Sequence, residues 1–229
     1  MNSVILSASM MCLSAWKDAE KKMEELKNGK VDLLHTDVMD GEFVPNLMLG
    51  TESIKSLRAA CPIPLDIHLM IERPEEKLGW FDIQPGEYVS IHVESTKHLQ
   101  RALSIIRGYG ARPAVALNPA TPLCMIEEVL CDIEAVLLMT VNPGFAGQKL
   151  VPQTISKIAK LRYLLDKNEL KTVRIEVDGN VSFENAQCMR QAGADMFVCG
   201  TSSIFNKEGT ITENITKFQT LVSGEKEFI

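Results

Sequence analysis

The sequence predicts an α/β fold, eight parallel strands closed into a (β/α)8 barrel, on three observations. Short runs rich in Val, Ile and Leu recur along the 229 residues. Each run is followed by a longer stretch with the apolar spacing of an amphipathic helix. The two kinds of segment alternate strictly, eight of each. Strands joined through helical crossovers run parallel, and eight such units in about this length suit a closed barrel. A doubly wound open sheet is the alternative. No linker-like or low-complexity stretch divides the chain, so one barrel domain over residues 1–229 is expected.

The elements follow in order. The start, MNSVILSASMMCLSAW, is apolar but lacks a basic leader, so 4–7 is expected as a first strand and not as part of a signal peptide. The polar KDAEKKMEELKNGK continues it as a helix over 15–28. VDLLHTDV (31–38) is a buried strand that turns polar at its end, followed by a helix at 51–60. LDIHLM (65–70) and YVSIHV (88–93) are strands followed by helices at 74–82 and 97–109. PAVALN (113–118) precedes a helix at 122–131, with Thr121 as its cap and Pro122 at the first helical position. AVLLMTV (135–141) precedes a helix at 153–168, and VRIEVD (173–178) one at 182–192, opened by Ser182 and closed by Gly193. DMFVC (195–199) and a helix at 211–222 complete the set.

Composition removes several function classes. A net charge of -6 gives no reason to expect nucleic acid, whose phosphates need clustered Lys and Arg. The lysines, Lys17, Lys21, Lys22, Lys157 and Lys160 among them, fall on expected helices and are accounted for by solvated faces. No stretch has the length of a membrane span. The six cysteines (12, 61, 124, 131, 188, 199) form no Cys-x-x-Cys pair and read as small core residues in a reducing, cytoplasmic compartment.

In such a barrel the site lies where the strands end. His35 and Asp37 close one strand and share a face. Asp66, His68 and Met70 share a face of the next, and Asp178 ends 173–178. Alone, His35 or His68 would be a hydrogen-bonded rim residue. Together with Asp37 and Asp178 they make a mixed nitrogen and oxygen set suited to one divalent metal ion: Zn, Fe, Mn or Co, with Zn favoured. The loops VNPGFAGQ (141–148), VDGN (177–180) and CGTSSIF (199–205) each carry glycine at a strand-to-helix junction, which suits backbone N–H contacts to a phosphate. A helix N-terminus at Gly200, Thr201 and Ser202 would add to them. His92 and Glu94 border this region, where a structural hydrogen-bonding role serves as well.

The segments LHTDVMDGEFVPN, DIHLM, LNPATP, LLMTVNPGFAGQK, IEVDG and AGADMFVCGTSSIF resemble the ribulose-phosphate 3-epimerases, in order and along the whole chain. The resemblance implies a TIM barrel of the ribulose-phosphate-binding type that inverts C3 of a ketose phosphate. It implies a metal on His35, Asp37, His68 and Asp178, with Asp37 and Asp178 as the acid/base pair. It assigns substrate contact to Ser9, His68 and Phe145, pocket lining to Met39, Met70 and Met139, and phosphate-loop positions to Gly144, Gly147, Gly179, Gly200, Thr201 and Ser202. Apart from the resemblance, exposed barrel faces lead to the expectation of a homo-oligomer, a dimer or hexamer. The metal would steady an enediolate while Asp37 and Asp178 move protons on opposite faces. The Met cluster and GEFVPN would form an apolar lid.

Four positions depart from the usual pattern: Thr36 for an aliphatic residue, Glu42 for a histidine, Asn180 for a second glycine and Thr201 for serine. The related D-allulose-6-phosphate 3-epimerases also vary at the last two and share Met-Cys near residue 12 and GFAGQ, so D-allulose 6-phosphate stands as the alternative to D-ribulose 5-phosphate. A phosphosugar lyase would usually place Lys at a strand end, where none occurs here. A non-catalytic phosphosugar-binding barrel would leave the carboxylates unused.

Overall fold

The computed structural model describes residues 3–13 and 18–223. Its strands are β1 (Ile5–Ser9), β2 (Leu33–Asp40), β3 (Leu47–Met48), β4 (Leu65–Met70), β5 (Tyr88–His92), β6 (Arg112–Leu117), β7 (Ala135–Met139), β8 (Arg174–Asp178) and β9 (Met196–Cys199). All but β3 run parallel in one ring, closed because β1 pairs with both β2 and β9. The two-residue β3, not foreseen from the sequence, lies antiparallel on the end of β2 and brings Met48 opposite Met39.

The helices are α1 (Ala19–Gly29), α2 (Thr51–Ala60), α3 (Pro74–Lys77), α4 (Leu99–Gly108), α5 (Gln153–Lys167), α6 (Phe183–Ala192) and α7 (Ile211–Ser223). Positions 15–17 of the first expected helix lie outside the described residues. α6 has the expected ends: the Ser182 hydroxyl accepts from Asn185 N, and Gly193 takes the left-handed conformation. Two expected helices differ. The stretch at 74–82 is a single α-turn followed by a 3-10 turn at Leu78–Trp80. The stretch at 122–131 is a 3-10 helix over Leu123–Asp132, and Thr121 does not cap it. The Thr121 hydroxyl is taken instead by the Glu94 carboxylate, leaving Pro122 extended at the cap position.

The period of two along each strand divides the barrel's side chains. Outward residues such as Leu34, Ile67, Val89, Val115, Leu138 and Phe197 pack against the helices in the main apolar core. Inward residues stack in layers, as barrels of this kind require. Leu33, Tyr88, Ala114, Ala135 and Met196 plug the lower end. Ala116, Leu137, Met139, Val141 and Val198 fill one side higher up. The other side is polar, and there the buried side chains are Ser7, Ser9, His35, Asp37, Asp66, His68, Ser90, His92 and Glu176.

Two surface expectations are corrected. Lys157 is buried, 8% exposed. Its ammonium donates to the carbonyls of Asn118 (2.7 Å) and Pro119 (3.4 Å), and burial lowers its pKa to about 8 although Glu94 nearby favours the charge. Lys17 lies outside the described residues. Of the cysteines only Cys61 and Cys199 are core residues; Cys124, Cys131 and Cys188 are exposed and Cys12 is half-buried. On the 3-10 helix the inward positions are filled by Ile126, Val129 and Leu130, and on α6 by Ala186 and Met189, which turns those three thiols outward. All six are free.

Candidate active site

The polar inward residues form two tiers. In the lower tier, the Asp66 carboxylate lies 2.6 Å from His35 Nδ1 and accepts the Ser7 hydroxyl at 2.7 Å. A carboxylate there holds a proton on Nδ1, so that once the ring is neutral its lone pair is on Nε2. That Nε2 is buried and has no hydrogen-bond partner. It faces Asp37 Oδ1 at 3.3 Å and Asp178 Oδ2 at 3.9 Å. From the neighbouring strand, His68 Nδ1 faces the same two atoms at 3.1 and 3.8 Å.

One ligand atom from each of His35, Asp37, His68 and Asp178 therefore lies within 4.8 Å of the others. Atoms about 2.0–2.2 Å from a common ion stand at most about 4.4 Å apart, so small side-chain adjustments bring all four onto one cation. Two imidazole nitrogens and two carboxylate oxygens suit a divalent transition metal, and an unpartnered buried imidazole nitrogen aimed at their centre is what such an ion would satisfy. His35, Asp66 and Glu176 form a second close group. There the His35 nitrogen is already hydrogen-bonded to Asp66, so this group supports the first and does not duplicate it.

The two carboxylates at the tier top are pushed to opposite acidities. Burial raises Asp37, but the charge of the adjacent His35, 3.3 Å away, and then the hydrogen bond and charge of His68 outweigh it and hold the group well below the ordinary carboxylate range. Burial raises Asp178 to about 6, helped by the negative charge of Asp37. Below them, His35 is held well above its ordinary value: burial opposes its charge, but Asp37 and Asp66 favour it more strongly. Glu176 is raised well above its ordinary value by burial and then by Asp66.

A cavity of about 340 Å³ opens over Asp37 and Asp178. Ser9, Met39, Met70 and Met139 line one part of it; Gly144, Phe145, Gly147, Gly179, Gly200, Thr201 and Ser202 line another. His35 and His68 are fully buried and do not reach its wall. Gly200–Ser202 do not open a regular helix, contrary to expectation. The chain turns there, with Ser203 N and Phe205 N both bonded to Gly200 O, and α7 begins only at Ile211.

The backbone at Gly179 explains its residue type. Its φ is +113°, and a Cβ there would lie 2.5 Å from Val141 Cγ2 and 2.9 Å from Val141 N. Asn180 follows at φ +50°, a conformation asparagine tolerates better than most residues. Its amide donates to Gln148 O at 2.7 Å, tying two of the glycine loops together. The loop after β2 is tied down as well, since Asn46 Nδ2 donates to Gly144 O at 2.8 Å. Val44 and the flanking Phe43 pack with Met39 and Met70 in an apolar cluster at the mouth.

Three features of the site were not assigned to it from the sequence. Glu176 shares the inward face of β8 with Asp178, so strand alternation could have found it. Met48 reaches the cavity only through β3. Met11 and Cys12 line the cavity from the 3-10 turn at Met10–Leu13. His92 stands beside His68, fully buried, and Glu94 backs it from behind.

Residues 5–205 match the model of the ribulose-phosphate 3 epimerase family. The chain is 39% identical over 198 residues to the ribulose-phosphate 3-epimerase of Bacillus subtilis, covering 86% of this chain and 88% of that one. It is 41% identical over 192 residues to the enzyme of the same name from Methanocaldococcus jannaschii, covering 82% and 80%. Among solved structures, a 3-hexulose-6-phosphate synthase from Salmonella typhimurium superposes with a TM-score of 0.68 at 15% identity, covering 97% of this chain and 100% of that one. A 3-keto-L-gulonate-6-phosphate decarboxylase from Vibrio cholerae gives 0.69 at 10%, covering 98% and 99%. At such identities these structures speak for the barrel alone.

Proposed function

The chain belongs to the ribulose-phosphate 3-epimerase family, and from that premise we propose that it inverts C3 of its substrate by two-base chemistry through Asp37 and Asp178. It is a ketose-phosphate epimerase, an isomerase acting on carbohydrates. We take D-ribulose 5-phosphate, converted to D-xylulose 5-phosphate, as its substrate, in keeping with the names of its relatives. The observation that carries the mechanism is a pair of carboxylates from two separate strands, β2 and β8, facing one cavity.

A divalent ion on His35, Asp37, His68 and Asp178, zinc foremost, would supply Lewis-acid stabilisation of the oxygens beside C3. Asp37 takes the C3 proton from one face and Asp178 delivers one to the other, with the roles exchanged in the reverse direction. Backbone N–H groups around Gly144, Gly147, Gly179 and Gly200–Ser202 receive the phosphate and fix the sugar's register. Ser9 contacts the sugar from β1. Met39, Met70 and Met139 keep water from the reacting carbon, and Phe145, 53% exposed at the rim, is free to fold over the bound sugar.

One observation favours a second substrate, D-allulose 6-phosphate converted to D-fructose 6-phosphate. Cys12, of the Met-Cys shared with the six-carbon branch, and Asn180 and Thr201, at positions where that branch also varies, all line the cavity. The deciding experiment measures kcat/KM for both sugars with metal-loaded and chelator-treated protein. Faster turnover of the pentose, lost on chelation, supports the first substrate. Preference for the hexose selects the second with the same chemistry. No turnover of either refutes both.

A further inference from the structure

The metal reading above fixes which nitrogen of each histidine faces the ion, and this has a consequence on the far side of His68. Its Nδ1 is the nitrogen that faces Asp37 and Asp178. A nitrogen that binds a metal carries no proton, so in neutral His68 the proton sits on Nε2. That atom lies 2.8 Å from His92 Nε2. The contact is a hydrogen bond only if His92 accepts through Nε2 and carries its own proton on Nδ1. His92 Nδ1 in turn lies 3.2 Å from Glu94 Oε2, an acceptor. Donors and acceptors thus alternate without conflict from the metal-facing nitrogen to the surface.

The far end of this chain is anchored. Glu94 Oε1 accepts from Asn118 N at 2.9 Å and from the Thr121 hydroxyl. Asn118 O holds the buried Lys157 ammonium at 2.7 Å. His92 is also held in place: its ring stacks on His68 with centroids 5.0 Å apart, and Phe43 from the mouth loop lies against it at 4.7 Å. Both rings are fully buried, so water cannot take the place of the missing partner.

We propose that His92 and Glu94 are positioning residues that hold His68 in the tautomer and orientation needed to bind the metal. They do for His68 what Asp66 does for His35, through an inserted neutral imidazole instead of a direct carboxylate. Partners of this kind, one bond removed from the ion, commonly contribute 10–100-fold to metal affinity.

The proposal rests on the metal site of the preceding section, and the test separates the two. Metal-free wild type, His92→Phe, His92→Gln, Glu94→Ala and Glu94→Gln are titrated with Co(II), followed by visible absorption, and with Zn(II) against a chromophoric chelator. Thermal unfolding of each metal-free protein reports folding, and ring 15N shifts of His68 report its tautomer. His92→Phe is expected to weaken binding roughly 10–100-fold and to release His68 from its Nε2–H tautomer. His92→Gln, whose amide oxygen can accept from Nε2–H, is expected to keep most of the affinity. Glu94→Ala, at the exposed end, is expected to weaken binding where Glu94→Gln does not, and it carries the test if His92→Phe fails to fold. Folded His92→Phe or Glu94→Ala binding metal as wild type does, with His68 unchanged, overturns the proposal. Failure of wild type to bind either ion overturns the metal site itself, and the proposal with it.

Discussion

Asp178 holds its place against the stability of the metal-free fold, and Asp178→Asn measures by how much. Burial and the charge of Asp37 raise this carboxyl from an ordinary 3.8 to about 6. Each pKa unit is worth about 1.36 kcal/mol, so at pH 7.5 the ionised side chain costs the metal-free fold about 3 kcal/mol. The side chain is 17% exposed, too little for solvent to screen most of this. The sign follows from linkage. A carboxylate with a raised folded-state pKa penalises the fold fully above about pH 6, and the penalty fades as pH falls toward its unfolded value near 4. Asparagine carries no charge at any pH. Metal-free Asp178→Asn is therefore expected to melt roughly 6–12 °C above wild type at pH 7.5, taking about 2–4 °C per kcal/mol for a chain of this size. The difference should shrink to nearly nothing at pH 4. The same variant should lose about 10²–10⁴-fold in epimerisation, the range for one general acid or base, and metal-loaded wild type should regain the advantage. Scanning calorimetry of chelated proteins between pH 4 and 8 gives the comparison. A variant no more stable than wild type, or a difference independent of pH, would show that Asp178 carries no such cost.

Three further outcomes are expected. Burial and Asp66 disfavour the charge on Glu176, holding its pKa well above the ordinary value; Glu176→Gln should change urea-unfolding stability by less than about 1 kcal/mol, whereas Asp66→Asn, which strips the charge held by His35 and Ser7, should cost about 3–5 kcal/mol. Gly179→Ala combines a positive φ, about 1–2 kcal/mol, with overlap on Val141, about 1–3 kcal/mol, so a thermal-unfolding loss of about 2–5 kcal/mol is expected and a loss below about 1 kcal/mol would contradict the tight junction. Metal affinity measured by competition should fall as pH drops from 7 to 5, with proton release on binding, because Asp178 and His35, both raised in the metal-free fold, must lose protons to ligate; flat affinity over that range would contradict this ligand set.

The barrel was legible because its strands alternate two kinds of burial with helices between them. Leu34 and Val38 point to helices while Leu33, His35 and Asp37 point inward, and a polar residue on the inward face near a strand end has few purposes other than a site. The grouping of His35, Asp37, His68 and Asp178 could be read for the same reason. What could not be read depended on tertiary partners. Thr121 and Pro122 have the local chemistry of a helix start, yet Glu94, twenty-seven residues earlier, claims the hydroxyl. Lys157 has the pattern of a surface lysine until the loop carbonyls at Asn118 and Pro119 close over it. Met48 enters the cavity through a strand of two residues, too short to leave a periodic signal.

The central claim is that protons enter and leave C3 through two different carboxylates, and proton NMR in D₂O tests it most directly. Metal-loaded protein is given D-ribulose 5-phosphate, and the C3 signals of substrate and product are followed together. The expected result is D-xylulose 5-phosphate carrying solvent deuterium at C3 from the first turnovers, because the acid that returns the proton is not the base that removed it. Product that forms with its original C3 hydrogen retained, or no exchange at C3 in either epimer, would contradict the two-base account.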